Sequence, residues 1–216
     1  MRRLLILLTL AVFLSATAVA VADTLTGTDG PETVGGTVRD DRIFALAGND
    51  TVIGGPGADF LDGGRGSDVL RGESGNDELI GEACNNERCD APETDTMYGG
   101  SGNDTRESNS CRGSECPDGR SSDRLYGEAG NDRLKLNAPG RGQLLGGSGN
   151  DRLTGNSGGE TFVAGTGNDV VRAGSGNDRI NVGGGGRDVV SCGGGRDTVR
   201  ADRSDRLSGC EQVSRR

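Results

Sequence analysis

Acidic side chains recur every nine residues along most of the chain. The first run contains Glu32, Asp41, Asp50, Asp59, Asp68 and Asp77, and Asn86 holds the next place before Asp95 and Asp104. The series resumes at Asp123 and Asp132 and, after shifts of one residue, continues through Asp151, Glu160, Asp169, Asp178, Asp188 and Asp197. Carboxylates at a fixed period can bind a hard cation through oxygen, or they can act as general acids and bases. Which chemistry they serve depends on the elements that hold them.

The residues around each acid form a nine-residue unit. Before the acid the chain reads GGPGAD at 54–59, GGRGSD at 63–68 and GGSGND at 99–104. Two residues after the acid, nearly every unit has a large apolar side chain. These residues are Val34, Ile43, Val52, Leu61, Leu70, Leu79, Met97, Leu125, Leu134, Leu153, Phe162, Val171, Ile180, Val190 and Val199. Arg106 interrupts the apolar row.

This unit predicts a six-residue turn followed by a three-residue strand. Side chains alternate between the two faces of a strand, so only the middle residue points inward. Glycine allows the turn to adopt left-handed backbone conformations. Two units then form one coil of eighteen residues, and stacked coils form parallel strands about 4.8 Å apart. The 41 glycines and the aromatic content of 3% suit such a solenoid better than an ordinary globular core.

With these motifs the sequence resembles the RTX, or hemolysin-type, calcium-binding repeat family, whose signature is GGxGxDxUx with a large apolar residue at U. The resemblance implies an all-β, right-handed parallel β-roll with two nonapeptides per coil. It also implies several calcium ions, each held between turns of adjacent coils. The acid pairs expected to share an ion are Asp50 with Asp68, Asp59 with Asp77, Asp151 with Asp169, Glu160 with Asp178, Asp169 with Asp188, and Asp178 with Asp197.

The resemblance assigns the expected calcium ligands to two groups of residues. The acids are Asp50, Asp59, Asp68, Asp77, Asp95, Asp104, Asp132, Asp151, Glu160, Asp169, Asp178, Asp188 and Asp197. The turn glycines are Gly55, Gly57, Gly64, Gly66, Gly147, Gly149, Gly165, Gly167, Gly174 and Gly176. The longer side chain of Glu160 predicts a weaker site, because its carboxylate extends about one methylene further out. The first turns, 27–32 and 36–41, lack the glycine pattern and predict an N-terminal cap.

The other residue types favour calcium over other metals. The chain has no histidine, and its cysteines are better explained as disulfides, so zinc and copper lack their usual ligands. The strict octahedral geometry of magnesium suits a carbonyl-lined turn poorly. Because stacked carboxylates repel and each nonapeptide buries only one large apolar residue, we expect the calcium-free chain to be unfolded. Calcium binding free energy then becomes folding free energy.

The chain divides into six predicted segments. Residues 1–22 carry Arg2 and Arg3, an apolar run from Leu4 and small residues around Ala20, which is typical of a secretory signal peptide. The remaining segments are an N-terminal cap (23–44), a calcium-binding block (45–83), an interrupted stretch (84–122), a second calcium-binding block (123–200) and a C-terminal cap (201–216). We expect a secreted, extracellular protein that has no membrane span once the signal peptide is removed.

Six cysteines in an exported chain predict disulfides. Cys192 and Cys210 are eighteen residues apart, one full coil, so stacking brings their Cα atoms to roughly 5 Å, within disulfide reach. Cys84 with Cys89 and Cys111 with Cys116 share the spacing C-x4-C. We favour closure of two local loops, and crossed pairing remains the alternative.

Several function classes fit the sequence less well. The formal net charge of −9 argues against a nucleic-acid partner. The repeat leaves no stretch for a separate catalytic domain, so we predict a structural or interaction module and not an enzyme. The alternatives are an accessory module of a polysaccharide-acting enzyme and an ice- or surface-binding protein, although the third turn position varies among residues such as Val38, Pro56 and Arg65. An extracellular polysaccharide or protein partner is possible and unidentified.

Overall fold

The computed structural model describes residues 23–82, 93–108, 122–137 and 140–216. These ranges contain twenty β-strands and no helix, so none of the described segments can span a membrane as a helix. The strands are β1 (Thr24–Thr26), β2 (Thr33–Gly35), β3 (Arg42–Phe44), β4 (Thr51–Pro56), β5 (Phe60–Asp62), β6 (Val69–Ser74), β7 (Glu78–Ile80), β8 (Thr96–Ser101), β9 (Thr105–Glu107), β10 (Arg124–Ala129), β11 (Arg133–Lys135), β12 (Gln143–Ser148), β13 (Arg152–Thr154), β14 (Thr161–Thr166), β15 (Val170–Ser175), β16 (Arg179–Asn181), β17 (Val189–Gly194), β18 (Thr198–Ala201), β19 (Arg206–Ser208) and β20 (Gln212–Arg215).

The strands alternate between two parallel sheets. The odd-numbered strands form one ten-stranded sheet and the even-numbered strands form the other. Each strand therefore pairs with the second strand along the chain, and two strands make one coil. Ile43 lies opposite Leu61 in the first sheet, and Val52 lies opposite Leu70 in the second, each pair eighteen residues apart. The predicted all-β parallel β-roll with two nonapeptides per coil is confirmed.

The core consists of inward side chains, one from the middle of each three-residue strand segment. The fully enclosed side chains include Ile43, Leu61, Leu79, Leu134, Leu153, Val171 and Val190 from the first sheet and Val52, Leu70, Met97, Leu125, Leu144, Phe162, Ile180 and Val199 from the second. Leu144 was absent from the predicted row. It pairs with Leu125 and Phe162 in a unit where Gly142 takes the place of the acid, so counting acids does not find it.

Many strands are longer than the predicted three residues. In β4, pairing continues from Thr51 to Pro56, and Gly55 lies opposite Glu73 in β6. The pairing extends into the turn because successive turns have the same conformation and stack directly on each other. The first half of a turn is therefore part of the sheet.

Each glycine of the motif has its own structural role. The second and fourth turn positions have positive φ, for example +103° at Gly55 and +149° at Gly57, a conformation that glycine adopts without steric cost. The glycine at the first turn position has ordinary φ, but the side chain of the acid of its own turn lies close to its α-carbon. A Cβ at Gly54 would overlap Asp59 Oδ2. The pattern GGxGxD thus combines two backbone requirements with one requirement for space.

The coil length changes at the interruptions. Leu79 lies opposite Arg106 and Leu70 opposite Met97, 27 residues apart in each case. An unbroken count of eighteen from Asp77 leads to Asp95, whereas the structure stacks Asp77 on Asp104. The continuous row inferred from the nine-residue spacing is therefore wrong at this point, and Asn86 lies outside the described residues. So do the predicted signal peptide and Cys84, Cys89, Cys111 and Cys116.

A disulfide joins the last coils. Cys192 in β17 and Cys210 between β19 and β20 are bonded, with their Cα atoms 5.2 Å apart. Cys192 is fully buried. The predicted C-terminal bridge is confirmed. The last coil has seventeen residues, since Val190 lies opposite Leu207, so Cys210 lies one residue beyond the position opposite Cys192.

Candidate metal centre

The acids of the turns form two hydrogen-bonded rows, one on each side of the roll. In each row, the backbone N–H of one acid donates to a carboxylate oxygen of the acid in the next coil. The N–H of Asp50 donates to Asp68 Oδ1 at 2.8 Å, and that of Asp59 donates to Asp77 Oδ1 at 2.9 Å. One carboxylate oxygen therefore fixes the register between coils, and the other oxygen remains available.

The structure brings together all six predicted acid pairs. The four other N–H to Oδ1 hydrogen bonds are Asp151 to Asp169 at 2.8 Å, Glu160 to Asp178 at 2.7 Å, Asp169 to Asp188 at 2.8 Å and Asp178 to Asp197 at 2.9 Å. The pairs separated by nineteen residues have the same geometry as those separated by eighteen. The extra residue before Asp188 is thus accommodated within its turn and does not displace the carboxylate.

Further pairs cross the interruptions of the repeat. They are Asp68 with Asp95, Asp77 with Asp104, Asp95 with Asp123, Asp104 with Asp132, and Asp132 with Asp151. Their hydrogen bonds measure 2.8 to 2.9 Å although the residues lie 19 to 28 positions apart. Asp123, which was not among the predicted ligands, is fully buried and belongs to the row. Its signal was its place in the nine-residue series.

The second oxygen of most of these carboxylates has no hydrogen-bond partner. The predicted acids are at most 2% exposed. The buried unpartnered oxygens include Oδ2 of Asp50, Asp59, Asp68, Asp77, Asp95, Asp132, Asp151, Asp169, Asp178, Asp188 and Asp197, and Oε1 of Glu160. An unpaired buried carboxylate oxygen is costly. These oxygens require a proton or a cation.

Backbone carbonyl oxygens lie next to the unpartnered carboxylates. Asp77 Oδ2 and the carbonyl oxygen of Gly99 both face the α-carbon of Gly72, and Asp132 Oδ2 and the carbonyl of Gly146 both face Gly127. Each such set joins a carboxylate of one turn to a carbonyl of the next coil. The space between adjacent turns is therefore lined by oxygen.

The predicted ligand glycines occupy the second and fourth turn positions, and all ten have positive φ. Their carbonyl oxygens also project between coils. The carbonyl of Gly147 faces Gly165, that of Gly149 faces Gly167, and that of Gly57 faces Gly75. A β-roll turn thus presents carbonyl oxygens to its neighbour at several points.

Burial raises the pKa of these carboxyl groups. The pKa rises to about 7 for Asp68, Asp132 and Glu160, and to about 6 for Asp77, Asp151 and Asp188. Desolvation is the main cause, and backbone N–H donors oppose it because they stabilise the carboxylate. In Glu160 the negative charge of Asp178 adds to the rise in pKa. Burial therefore disfavours the charged form of these carboxyl groups near neutral pH.

This donor set fits calcium. Within the described ranges, no three acidic, histidine or cysteine side chains converge to form a site by themselves. Calcium takes six to eight oxygen ligands in flexible geometry and accepts backbone carbonyls as well as carboxylates. The turns offer both kinds of oxygen and no nitrogen ligand of histidine. Asp Oδ2 atoms and turn carbonyls would hold the ion.

Glu160 does not project outward as its length suggested. It is 1% exposed, like its aspartate neighbours. Its Oε2 accepts a long hydrogen bond of 3.4 Å from the N–H of Asn156, while Oε1 has no partner. The turn 155–160 therefore retains the second carboxylate oxygen that the aspartate turns present.

Turns near the two ends of the roll satisfy their carboxylates in another way. The N–H of Thr37 donates to Asp41 Oδ2 at 2.6 Å, and its hydroxyl lies 3.0 Å from the same oxygen. Near the C-terminus, the N–H of Asp202 donates to Asp205 Oδ2 at 2.6 Å. These end turns close through their own donors and need no cation for that oxygen.

Asparagines form a second row that the sequence reasoning missed. The N–H of Asn150 donates to Asn131 Oδ1 at 2.7 Å, and that of Asn168 donates to Asn150 Oδ1 at 2.8 Å. Ser67 and Arg187 donate to Asn49 and Asn168 in the same manner. The tripeptide Gly-Asn-Asp, which occurs seven times, was the available signal. Asn serves coil stacking, while the adjacent Asp also presents an unpartnered oxygen.

Stacked parallel coils with oxygen-lined, carboxylate-bearing turns define the class of calcium-binding β-rolls. The model of the RTX calcium-binding nonapeptide repeat (4 copies) matches the chain at residues 35–70, 63–87, 93–105, 118–138, 139–158, 154–186, 165–199 and 182–207. The chain belongs to this family. No curated protein matches it in sequence.

Proposed function

We propose that the chain is an extracellular, non-catalytic module that folds when calcium binds between its stacked turns. The observation that carries this proposal is the row of buried carboxylates, each with one oxygen bonded to the next coil and the other without a partner. Calcium, when bound, supplies the positive charge that these carboxylates lack. The predicted blocks 45–83 and 123–200 contain most of these turns.

Coupling to folding follows from where the ligands come from. Asp151 and Asp169 meet only when two coils are stacked, since they are eighteen residues apart in the chain. An ion that needs both turns binds the folded chain and not the unfolded one, so it stabilises the folded state by mass action. The carboxylates of adjacent turns stay close together only while a positive charge balances their negative charges.

A non-catalytic role is supported by the burial of the acids. Asp169 and Asp197 are fully enclosed, and Asp178 is 1% exposed. Catalytic acids and bases must reach a substrate, whereas these carboxylates face adjacent turns. An extracellular location is supported by the Cys192–Cys210 bridge, because disulfides persist in oxidising compartments, and by the signal-like residues 1–22.

The proposal is tested by a calcium titration of the purified chain that begins in chelator. Circular dichroism should show little β-structure at neutral pH without calcium and a cooperative gain as calcium is added. Calorimetry counts the ions. Magnesium at the same concentration is the control and should produce little folding. An unchanged β signal in chelator would refute calcium-driven folding.

A further inference from the structure

Arg106 occupies an inward position that the repeat reserves for an apolar side chain. It lies in the middle of β9, opposite Leu79 in β7 and Leu134 in β11. It is fully buried. A guanidinium is thus enclosed in the core of the roll, on the row that elsewhere consists of aliphatic residues.

The guanidinium turns back to the acid of its own turn. Arg106 Nη2 donates to Asp104 Oδ2 at 2.8 Å and to the carbonyl oxygen of Gly127 in the next coil at 3.1 Å. Nη1 lies 3.8 Å from Asp132 Oδ1. The side chain therefore bridges the turn 99–104 and the turn 127–132.

The same two kinds of oxygen meet in neighbouring turns of this row without a hydrogen bond from a positively charged side chain. Asp77 Oδ2 and the carbonyl of Gly99 face Gly72, and Asp132 Oδ2 has the carbonyl of Gly146 beside it. In both cases Oδ2 has no partner. Between turns 99–104 and 127–132, the corresponding oxygens are bound by Nη2 of Arg106.

Packing alone does not explain an arginine at this position. Its Nε and Nη1 are buried without a hydrogen-bond partner, and such atoms cost free energy that a leucine would not. Burial lowers the pKa of Arg106, and the negative charges of Asp132, Asp104, Glu128 and Asp77 oppose this effect by favouring the charged guanidinium. The glycine at position 99 also leaves room for the guanidinium, because a Cβ there would overlap Nη2.

We propose that Arg106 is a built-in cation, which replaces calcium between the turns 99–104 and 127–132. This inference rests on the proposed function, in which calcium serves the other turn pairs. The gap next to Asp104 then takes up no calcium. Between the interruptions that follow Glu82 and Ser108, the turn that ends at Asp104 is neutralised by the chain itself, whereas Asp95 Oδ2 has no hydrogen-bond partner.

The test counts bound calcium in variants of the full chain. Arg106→Leu restores the residue type of Leu79 and Leu134, and Arg106→Met offers an unbranched neutral alternative. At saturating calcium, native mass spectrometry should find one more ion in each variant than in the wild type. Arg106→Lys keeps the charge and should retain the wild-type number. Leu134→Met is the matched control for a core change without a change of charge, and it should also leave the number unchanged.

Each outcome decides the assignment. A neutral variant that folds with calcium and binds the wild-type number of ions overturns it. Failure of both neutral variants to fold at saturating calcium also overturns it, because calcium then cannot take the place of the guanidinium. If the wild type itself binds no calcium, the proposed function fails and the assignment fails with it. That result is distinct from an unchanged count between two calcium-binding proteins.

Discussion

The backbone N–H of Asp151 donates to Asp169 Oδ1 at 2.8 Å, while Asp169 Oδ2 is buried without a partner. The two oxygens of one carboxylate therefore have different tasks. Oδ1 sets the register of adjacent coils through a hydrogen bond that needs no metal. Oδ2 carries charge that the protein leaves unbalanced, so the stability of the stacked coils depends on the cation supplied to them.

Asp169→Asn separates these two tasks. The amide oxygen can still accept the hydrogen bond from Asp151, but the negative charge is lost. We expect fewer bound calcium ions and a lower free energy of unfolding in calcium, by about 2.7 kcal/mol for one ion lost at a calcium concentration 100 times its Kd. Calorimetry and denaturant unfolding measure the two effects. Asp29→Asn, at an exposed position, should change neither, and an unaltered ion count in Asp169→Asn would contradict the ligand assignment.

The calcium-free roll should become more stable as the pH falls. Burial raises the pKa of Asp68 and Asp132 to about 7 in the folded chain, whereas an unfolded aspartate has a pKa of about 3.9. Between these values the folded state binds more protons, so its stability is highest below about pH 4 and is lost as the pH rises towards about 7. Circular dichroism in chelator should show β-structure that disappears over this interval.

The effect of pH on the calcium-bound protein should have the opposite sign. Protons compete with calcium for the same carboxylates, so calcium affinity should fall as the pH is lowered. Titrations in calcium at several pH values measure this. A calcium-free chain that loses β-structure on acidification would contradict the raised pKa values as the source of instability.

The nine-residue period is sufficient to predict the coil. It places Ile43, Leu61 and Leu79 on one inward row and sets Asp151 and Asp169 one coil apart, where the structure has them. The prediction succeeds because each repeat makes the same local choice of turn, strand and inward residue. The period also predicts that Cys192 and Cys210 come within bonding distance, although the last coil is one residue shorter than eighteen.

The period cannot predict how the interruptions are accommodated. An insertion of nine residues keeps the acids in phase, so the spacing alone does not show that Asp77 stacks on Asp104. The unit that contains Leu144 has Gly142 in place of the acid, so the row of acids does not reveal it. A Cβ at Gly142 would overlap the side chain of Leu136. Arg106 is visible in the sequence only as a break in the row. Its role depends on the carbonyl of Gly127, 21 residues away across an interruption.

The disulfide should stabilise the C-terminal coils locally. Ala replaces the first turn glycine at Ala164 and Ala173, so Cys192→Ala with Cys210→Ala is compatible with the turn. Opening a loop of this size costs about 3 kcal/mol, and in a solenoid each coil contacts only its neighbours. Hydrogen exchange in calcium should become faster in β19 and β20 and stay unchanged in β4 and β6. Equal acceleration at both ends would contradict a local effect.

Because the second turn position has positive φ, replacing its glycine should lower the free energy of unfolding more than introducing a glycine there. Gly165 has φ +106° and faces the carbonyl of Gly147, whereas Glu73 adopts φ +77° with an exposed side chain. Gly165→Ala should lower the free energy of unfolding by at least about 1–3 kcal/mol, because the backbone is strained and the new Cβ would overlap the carbonyl oxygen of Gly147. Glu73→Gly relieves strain but adds freedom to the unfolded chain, so its effect should stay within about 1 kcal/mol. Denaturant unfolding at saturating calcium compares the two variants. Equal losses would show that the backbone conformation of this position does not limit stability.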